Sequence, residues 1–184
     1  MTAYTDLVAS ITKQYPNFSI VYKSNSLFMK IINALLFVLS FGQMNTFMSN
    51  FITTIGSTVY VPSSWDSFSD ISKIIILRHE NIHLGQAAKE GQLLFSLKYL
   101  FWYFPMFFAW GRTVLEMEAY KESIIATIEN EGVSAVQNDS FKSWLISNFT
   151  SSSYLWMWYD SNYITNWVNK TIDDCISTYN KTNK

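Results

Sequence analysis

The spacing of apolar residues along the 184-residue chain predicts a mostly helical protein with a few short strands. In several long segments the apolar side chains recur every three or four residues, which is typical of amphipathic helices. Residues 18–22 and 46–61 are instead rich in β-branched and aromatic residues, which favours strands. We find no internal repeat, and the length suits a single domain over residues 1–184.

The first half of the chain begins with a helix predicted over residues 3–14, which Pro16-Asn17 ends. A strand follows at 18–22. Residues 27–41 are nearly all apolar but too few to cross a bilayer, so we expect a buried helix there. The alternative is a helix that dips into a membrane. Strand is predicted over 46–61, with a turn at Gly56-Ser57.

The second half contains the most apolar and aromatic segment, residues 93–110, which Lys98 and Pro105 interrupt. We expect two short buried helices or one kinked helix, and the alternative is contact with a membrane. Three further helices are predicted, with a loop and an aromatic run before the last one. In chain order these segments are the helix 112–130, closed by Gly132, the helix 138–149, the loop 151–153, the aromatic run 154–159 and a final helix to about residue 180.

The composition excludes several classes of protein. Thirteen basic and fourteen acidic residues give a net charge of −1, and without a basic run the chain has no electrostatic surface for nucleic acid. The single cysteine, Cys175, excludes an internal disulfide framework and a cysteine-based zinc site. Residues 1–10 lack the positively charged start and apolar run of a signal peptide, so none is expected.

Both histidines of the chain belong to one motif, because residues 79–83 read His-Glu-Asn-Ile-His and so have the form H-E-x-x-H. Positions four apart lie about 40° from each other around a helix, so both imidazoles share one face. Two imidazoles placed in this way can bind one Zn²⁺, and Glu80 lies beside them to take a proton from water. The motif therefore predicts a zinc site formed by His79 and His83.

The sequence around the motif predicts the buried helix that such a site needs. Ser69 or Asp70 can cap a helix over residues 70–88 that runs through an apolar stretch. Gln86 lies about 20° from His79 around this helix, so it is predicted to face the site or to pack beneath it. The alternative interpretation is a surface helix that carries two histidines and no metal.

A catalytic zinc needs a third protein ligand. Both histidines are used and Cys175 is far away in sequence, so that ligand must be a carboxylate. The downstream candidates are acidic residues, namely Glu90, Glu116, Glu118, Glu122 and those beyond. Glu90 lies too near the end of the metal helix to fold back, whereas a later helix can return antiparallel. Glu116 and Glu118 are about 200° apart around that helix, so only one of them can face the zinc.

The two motifs together resemble those of the gluzincins, metallopeptidases with H-E-x-x-H on one helix and a zinc-binding glutamate on a later one. In many gluzincins the later helix contains the sequence E-x-x-A followed by Asp, Asn or Tyr. Residues 116–120 of this chain are Glu-Met-Glu-Ala-Tyr. The resemblance covers residues 79–83 and 116–120. It is closest to small uncharacterised bacterial and phage members that have a glutamine where this chain has Gln86. It assigns the third ligand to Glu116 and makes Glu118 the variable position.

The resemblance implies an α+β fold, mostly helical, with a small β-sheet or hairpin packed on the H-E-x-x-H helix and several further helices. It implies a zinc-dependent metallohydrolase, a peptidase acting on a protein or peptide substrate, with Zn²⁺ held by His79, His83 and Glu116. Glu80 would accept a proton as water attacks an amide carbonyl. The groups available to stabilise the oxyanion are polar side chains, namely Tyr60, Tyr103, Tyr120 and Arg112.

A second hypothesis is a structural or assembly component, for example of a virion or cell-envelope complex, in which zinc only staples two helices. The aromatic segments 93–110 and 154–159 would then contact partner chains. Structural zinc sites usually have four protein ligands, and the sequence offers no obvious fourth one. Contact with a membrane is the less favoured alternative, and we expect a cytoplasmic or virion-associated protein.

Overall fold

The computed structural model describes residues 2–101, 109–151, 157–158 and 160–183. The chain divides into two compact units, Met1–Ala88 and Lys89–Lys184. The predicted mostly helical α+β composition is confirmed, because the described residues form helices of both units and one small mixed sheet. That the whole chain is a single domain stays a prediction.

The first unit contains a three-stranded sheet and the helices around it. Its elements are α1 (Ala3–Gln14), β1 (Ser19–Tyr22), α2 (Leu27–Leu39), α3 (Phe47–Asn50), β2 (Thr53–Ile55), β3 (Thr58–Val61) and α4 (Asp70–Glu90), whose last two residues belong to the second unit. The strand order is β1-β3-β2, with β1 parallel and β2 antiparallel to β3. Gly56 adopts a positive φ of 62° in the β2–β3 turn, a conformation that glycine takes without a steric penalty.

The core of the first unit joins the sheet to α4. Along β3, Val59 and Val61 are buried while Thr58 and Tyr60 are partly exposed, which is the alternation expected of a strand with one covered face. The two valines belong to one apolar cluster with Leu77 and Leu84 of α4, which lie seven residues apart on one helix face. The expected small sheet packed on the H-E-x-x-H helix is therefore present.

Helix α4 begins where the sequence predicts. The hydroxyl of Ser69 accepts a hydrogen bond from the backbone N–H of Ser72 at 3.0 Å, so Ser69 caps the helix. The helix ends at Glu90, and Gly91 follows with a φ of +85°, a conformation that favours glycine after a helix. The predicted span of 70–88 is thus confirmed and extended by two residues.

The prediction that residues 27–41 form a buried helix is wrong for one whole face. Helix α2 is present, but only an inner face that includes Met29 packs on the unit, and the opposite face is open to solvent. The physical reason is that nearly every position is apolar, so the sequence does not distinguish a packed face from an exposed one. No helix in the described parts of the chain combines the length and the apolar character that a membrane crossing requires.

The strand prediction for residues 46–61 is confirmed only in its second part. The strands begin at Thr53, and Phe47–Asn50 forms the helical turn α3. The rings of Phe47 and Phe51 stack with centroids 6.3 Å apart, and the buried ammonium group of Lys23 donates to the Phe47 carbonyl at 2.8 Å. These tertiary contacts favour a turn at residues whose composition alone favours strand.

The elements described in the second unit are all helices. Its elements are α5 (Gln92–Phe101), α6 (Trp110–Glu131), α7 (Val133–Gln137), α8 (Asp139–Thr150) and α9 (Ser161–Thr182). Apolar residues of the last four helices form one core, in which the Phe149 ring contacts the rings of Tyr120 and Trp167 with centroids 5.4 and 5.5 Å away. The helices predicted at 112–130 and 138–149 and at the end of the chain are confirmed, whereas α7 was not expected.

The two aromatic segments are only partly described. Residues 102–108 and 152–156, which include Pro105, Tyr103 and most of the aromatic run, lie outside the described residues. Of the segment 93–110, the described part up to residue 101 is helical, Leu93 and Leu94 are exposed, and Phe95 is buried. Burial of this segment is therefore confirmed for Phe95 and contradicted for the two leucines.

Candidate metal centre

The two histidines of α4 point the same ring nitrogen at one another. Four residues apart on the helix, His79 and His83 place their Nε2 atoms 3.2 Å from each other. The ring centroids are 4.9 Å apart and the planes meet at 76°. His83 is buried, at 5% exposure, and His79 is partly buried. The helical spacing thus brings both imidazoles together, as the motif predicts.

Gln86 fixes the orientation and tautomer of His83. Its Oε1 lies 2.9 Å from His83 Nδ1. Because a carbonyl oxygen only accepts hydrogen bonds, Nδ1 carries the proton and Nε2 keeps its lone pair. A metal-binding histidine is commonly held in this way through its other ring nitrogen. The prediction that Gln86 faces or underlies the site is confirmed by this contact.

The separation of the two nitrogens suits a tetrahedral ion. With metal–nitrogen distances of about 2.0–2.1 Å and tetrahedral angles, two imidazole nitrogens bound to one Zn²⁺ lie about 3.3 Å apart. The observed 3.2 Å between the Nε2 atoms of His79 and His83 agrees with that value. The donor set also fits, since imidazole nitrogen is a usual zinc ligand.

Glu80 directly follows His79 on α4 and accepts a hydrogen bond from the sheet. Its carboxylate is buried, at 6% exposure, and its Oε2 accepts a hydrogen bond of 2.6 Å from the hydroxyl of Thr54. Thr54 is the central residue of β2, which lies at one edge of the described sheet. The Thr54 hydroxyl thus binds Oε2, and Oε1 is the second oxygen of the carboxylate.

Lys23 is a buried cation close enough to Glu80 to sense its charge. The side chain is fully buried; its Nζ donates to the Phe47 carbonyl and lies 3.6 Å from the centroid of the Phe47 ring. Burial lowers the pKa of Lys23 to about 7, and the negative charge of Glu80 opposes that shift. A lysine amine close to its titration point therefore lies in the surroundings of Glu80.

The acidic residues of α6 differ in burial as the sequence predicts for opposite faces. Glu116 is buried, at 3% exposure, whereas Glu118 is exposed. Ala119, the small residue of the second motif, is fully buried. Of the other downstream candidates, Glu90 and Glu122 are partly exposed. Glu116 is thus the most buried of the four carboxylates named as candidates for the third ligand.

The residues considered for the oxyanion have different surroundings. Tyr60 of β3 is partly exposed on the sheet face opposite to Val59 and Val61. Tyr120 lies in the core of the second unit, with its ring against those of Trp144 and Phe149. Arg112 is partly buried, and Tyr103 lies outside the described residues.

Two residues near Glu80 were not predicted from the sequence. Thr54 is one of several threonines in a segment of strand-forming residues, and its partner is 26 positions away. Lys23 is one of 13 basic residues, and nothing in its neighbourhood distinguishes it from a surface lysine. Only the fold brings these side chains to Glu80.

Cys175 is expected to be dispensable for metal binding. It is buried in the core of the second unit, and burial raises the pKa of its thiol, which disfavours the thiolate that zinc binds. The Cys175→Ser variant should therefore keep the metal content of the parent protein, measured by atomic emission after extensive dialysis. A loss of metal in this variant would show that the ligand set is misassigned.

No family model, curated protein or solved structure matches the chain. The resemblance to gluzincins accordingly depends on the two motifs and on the chemistry of the residues around them.

Proposed function

We propose that the protein is a zinc-dependent metallohydrolase of the peptidase type. The observation that carries the proposal is the 3.2 Å separation of the Nε2 atoms of His79 and His83, with His83 Nδ1 held by Gln86. This arrangement places two imidazole nitrogens at the spacing that a tetrahedral ion requires. A purely structural zinc site does not need a glutamate directly after its first histidine, which favours hydrolysis.

We propose Glu116 as the third protein ligand. The proposal rests on the second motif, residues 116–120, because the resemblance assigns the metal ligand to its first glutamate. Two imidazoles and one carboxylate form the ligand set of several zinc peptidases, in which the fourth position is left for water. Its burial and the E-x-x-A motif favour Glu116 over Glu118.

We assign Glu80 as the general base. A bound zinc ion would lower the pKa of water towards neutrality and polarise the amide carbonyl of a substrate. The Thr54 hydroxyl holds Oε2 of Glu80, so we assign the proton to Oε1. Burial of this carboxylate excludes bulk water that would otherwise compete for the proton. Glu80 would then return the proton to the amine that leaves.

The sheet supplies a place for an extended peptide. Among the described residues β2 pairs only with β3, so its other edge is open for strand addition. Thr54 lies in the middle of this edge strand and contacts Glu80. A peptide paired with β2 would therefore pass the general base. We propose a protein or peptide substrate bound in this way.

Metal analysis and a peptide-library digest test the proposal together. We expect one zinc ion per chain in the purified protein, cleavage that a chelator stops and zinc restores, and loss of both zinc and cleavage in His83→Ala. Circular dichroism should show that the variant keeps its helices. Full metal occupancy in His83→Ala would contradict the assignment of the site. Zinc without any cleavage by the parent protein would contradict the hydrolase.

A further inference from the structure

Helix α2 presents an apolar face to solvent. Seven large apolar side chains between residues 27 and 41 are at least half exposed, and Leu27, Val38 and Phe41 reach 73%, 70% and 92%. The other four are Phe28, Ile31, Leu35 and Phe37. With about 100° between successive residues, the six that belong to α2 fall on one side of the helix, and Phe41 follows its end. A continuous exposed apolar face of this size indicates a surface that is covered when the protein functions.

The exposed side of α2 lacks the polar residues that an ordinary surface helix carries there. Only Lys30, Asn33 and Ser40 are polar between residues 27 and 40. The two uncharged ones lie on the inner side, where Ser40 is buried and Asn33 is partly buried. Lys30 is the one polar residue on the exposed side, and its long side chain can extend beyond an apolar layer. An exposed side that is apolar except for one lysine is typical of a helix whose surroundings are apolar.

The end of α2 places a phenylalanine at a strained position. Gly42 N–H donates to the Phe37 carbonyl at 2.7 Å and Phe41 N–H donates to the Val38 carbonyl at 3.2 Å. These two bonds close the helix in a Schellman motif, in which the residue at the position of Phe41 has a left-handed conformation and is usually glycine. Phe41 adopts a φ of +52° there, and its side chain is the most exposed of the large apolar residues described.

The charge around α2 favours an anionic surface as the cover. No aspartate or glutamate occurs between Asp6 and Asp66, whereas this stretch contains the exposed Lys13 and Lys30. Lys30 lies on the apolar face itself, where a second copy of the chain would bring another Lys30 towards it. Phosphate head groups would instead receive the ammonium group while the acyl region receives the apolar side chains.

We propose that α2 lies in the surface of an anionic lipid bilayer, with its apolar face at the boundary between head groups and acyl chains. Thirteen residues make a helix of about 20 Å, which suits a helix lying in the membrane plane. Leu35 and Val38 enter the acyl boundary, Phe41 extends this contact past the end of the helix, and Lys30 meets the lipid phosphates.

Vesicle flotation of the full-length protein tests the proposal. We expect binding to vesicles of equal parts phosphatidylglycerol and phosphatidylcholine, and much weaker binding to phosphatidylcholine alone or at high salt. The double variant Leu35→Gln and Val38→Gln should bind about a hundredfold more weakly, since two apolar side chains no longer enter the bilayer. Lys30→Gln should lose about fivefold on the anionic vesicles and nothing on the neutral ones.

Phe41→Gly separates a membrane role from a structural one. Glycine adopts a φ of +52° more readily than phenylalanine, so thermal stability should be unchanged or higher. Vesicle binding should nevertheless fall, because the most exposed apolar side chain is gone. A matched control replaces the exposed Leu93 and Leu94 of the second unit by glutamine, which should leave binding unchanged.

Three results would overturn the proposal. The first is that the parent protein binds neither kind of vesicle, and the second is that the Leu35 and Val38 variant, or Phe41→Gly, floats as well as the parent. The third is a concentration-dependent dimer in sedimentation velocity that the Leu35 and Val38 variant abolishes, which would show that a second copy covers the face. Equal loss of binding in the Leu93 and Leu94 control would likewise contradict the assignment to α2.

Discussion

The Glu80→Gln variant is expected to keep its zinc and to lose peptide hydrolysis by about a thousandfold or more. Glutamine keeps the shape of the side chain, and its carbonyl oxygen can still accept the hydrogen bond from Thr54 that is 2.6 Å long in the parent. It cannot take a proton, so the attack of water loses its base. Zinc content by atomic emission and cleavage of a fluorogenic peptide library measure the two effects.

The other glutamates provide the matched comparison. Glu116→Gln should weaken metal binding, because a neutral amide replaces the buried carboxylate that we propose as the third ligand. Glu118→Gln removes the same charge two residues away at an exposed position, and it should change neither zinc content nor cleavage. If Glu118→Gln strips the metal while Glu116→Gln keeps it, the ligand assignment on α6 is wrong. If Glu80→Gln cleaves as fast as the parent, Glu80 is not the base.

The parts of the molecule that follow local rules could be predicted from the sequence. Helix α4 begins at Ser69 because a serine followed by an apolar-periodic segment can cap its own helix, and the structure contains that bond. The pairing of His79 and His83 follows from helical spacing alone. The different burial of Glu116 and Glu118 has the same origin, since side chains two positions apart on a helix point to nearly opposite sides.

The parts that depend on contacts distant in sequence could not be predicted. The bond from Thr54 to Glu80 requires the edge strand of a sheet to lie against α4, and one threonine in a strand-like segment does not indicate that. The same applies to Lys23, whose partner is the Phe47 carbonyl 24 positions later. For α2, composition indicated an apolar helix correctly, but a helix that is apolar on nearly all sides does not reveal which face is covered.

Lys23 should make the free energy of unfolding rise as the pH increases above 7. Its pKa is lowered by burial from 10.5 to about 7 in the folded protein. Between these two values the unfolded chain binds a proton that the folded chain does not, so the free energy of unfolding rises with pH in this window. The contribution is fully present above pH 10.5 and is lost as the pH falls towards 7. From this source, the free energy of unfolding should rise by about 2 to 3 kcal/mol between pH 7 and pH 9.

Lys23→Met is the variant that removes this dependence. Methionine has a similar length and carries no charge, so the difference in unfolding free energy between variant and parent should shift in favour of the variant as the pH falls from 9 to 7. Urea unfolding at a series of pH values measures this difference. Lys13→Met, which removes an exposed lysine of the same unit, serves as control and should follow the parent at every pH. A difference that does not change with pH would contradict a buried lysine of lowered pKa.

A direct titration connects this lysine to the proposed site. In protein labelled with ¹³C at lysine Cε, one resonance should titrate near pH 7, and Lys23→Met should remove it. Glu80→Gln removes the negative charge that opposes the shift, so the same resonance should titrate at a lower pH in that variant. Glu118→Gln should leave the midpoint where it is in the parent. If Glu80→Gln has no effect on the titration midpoint, Lys23 and Glu80 are not coupled. The buried lysine then only holds the Phe47 carbonyl.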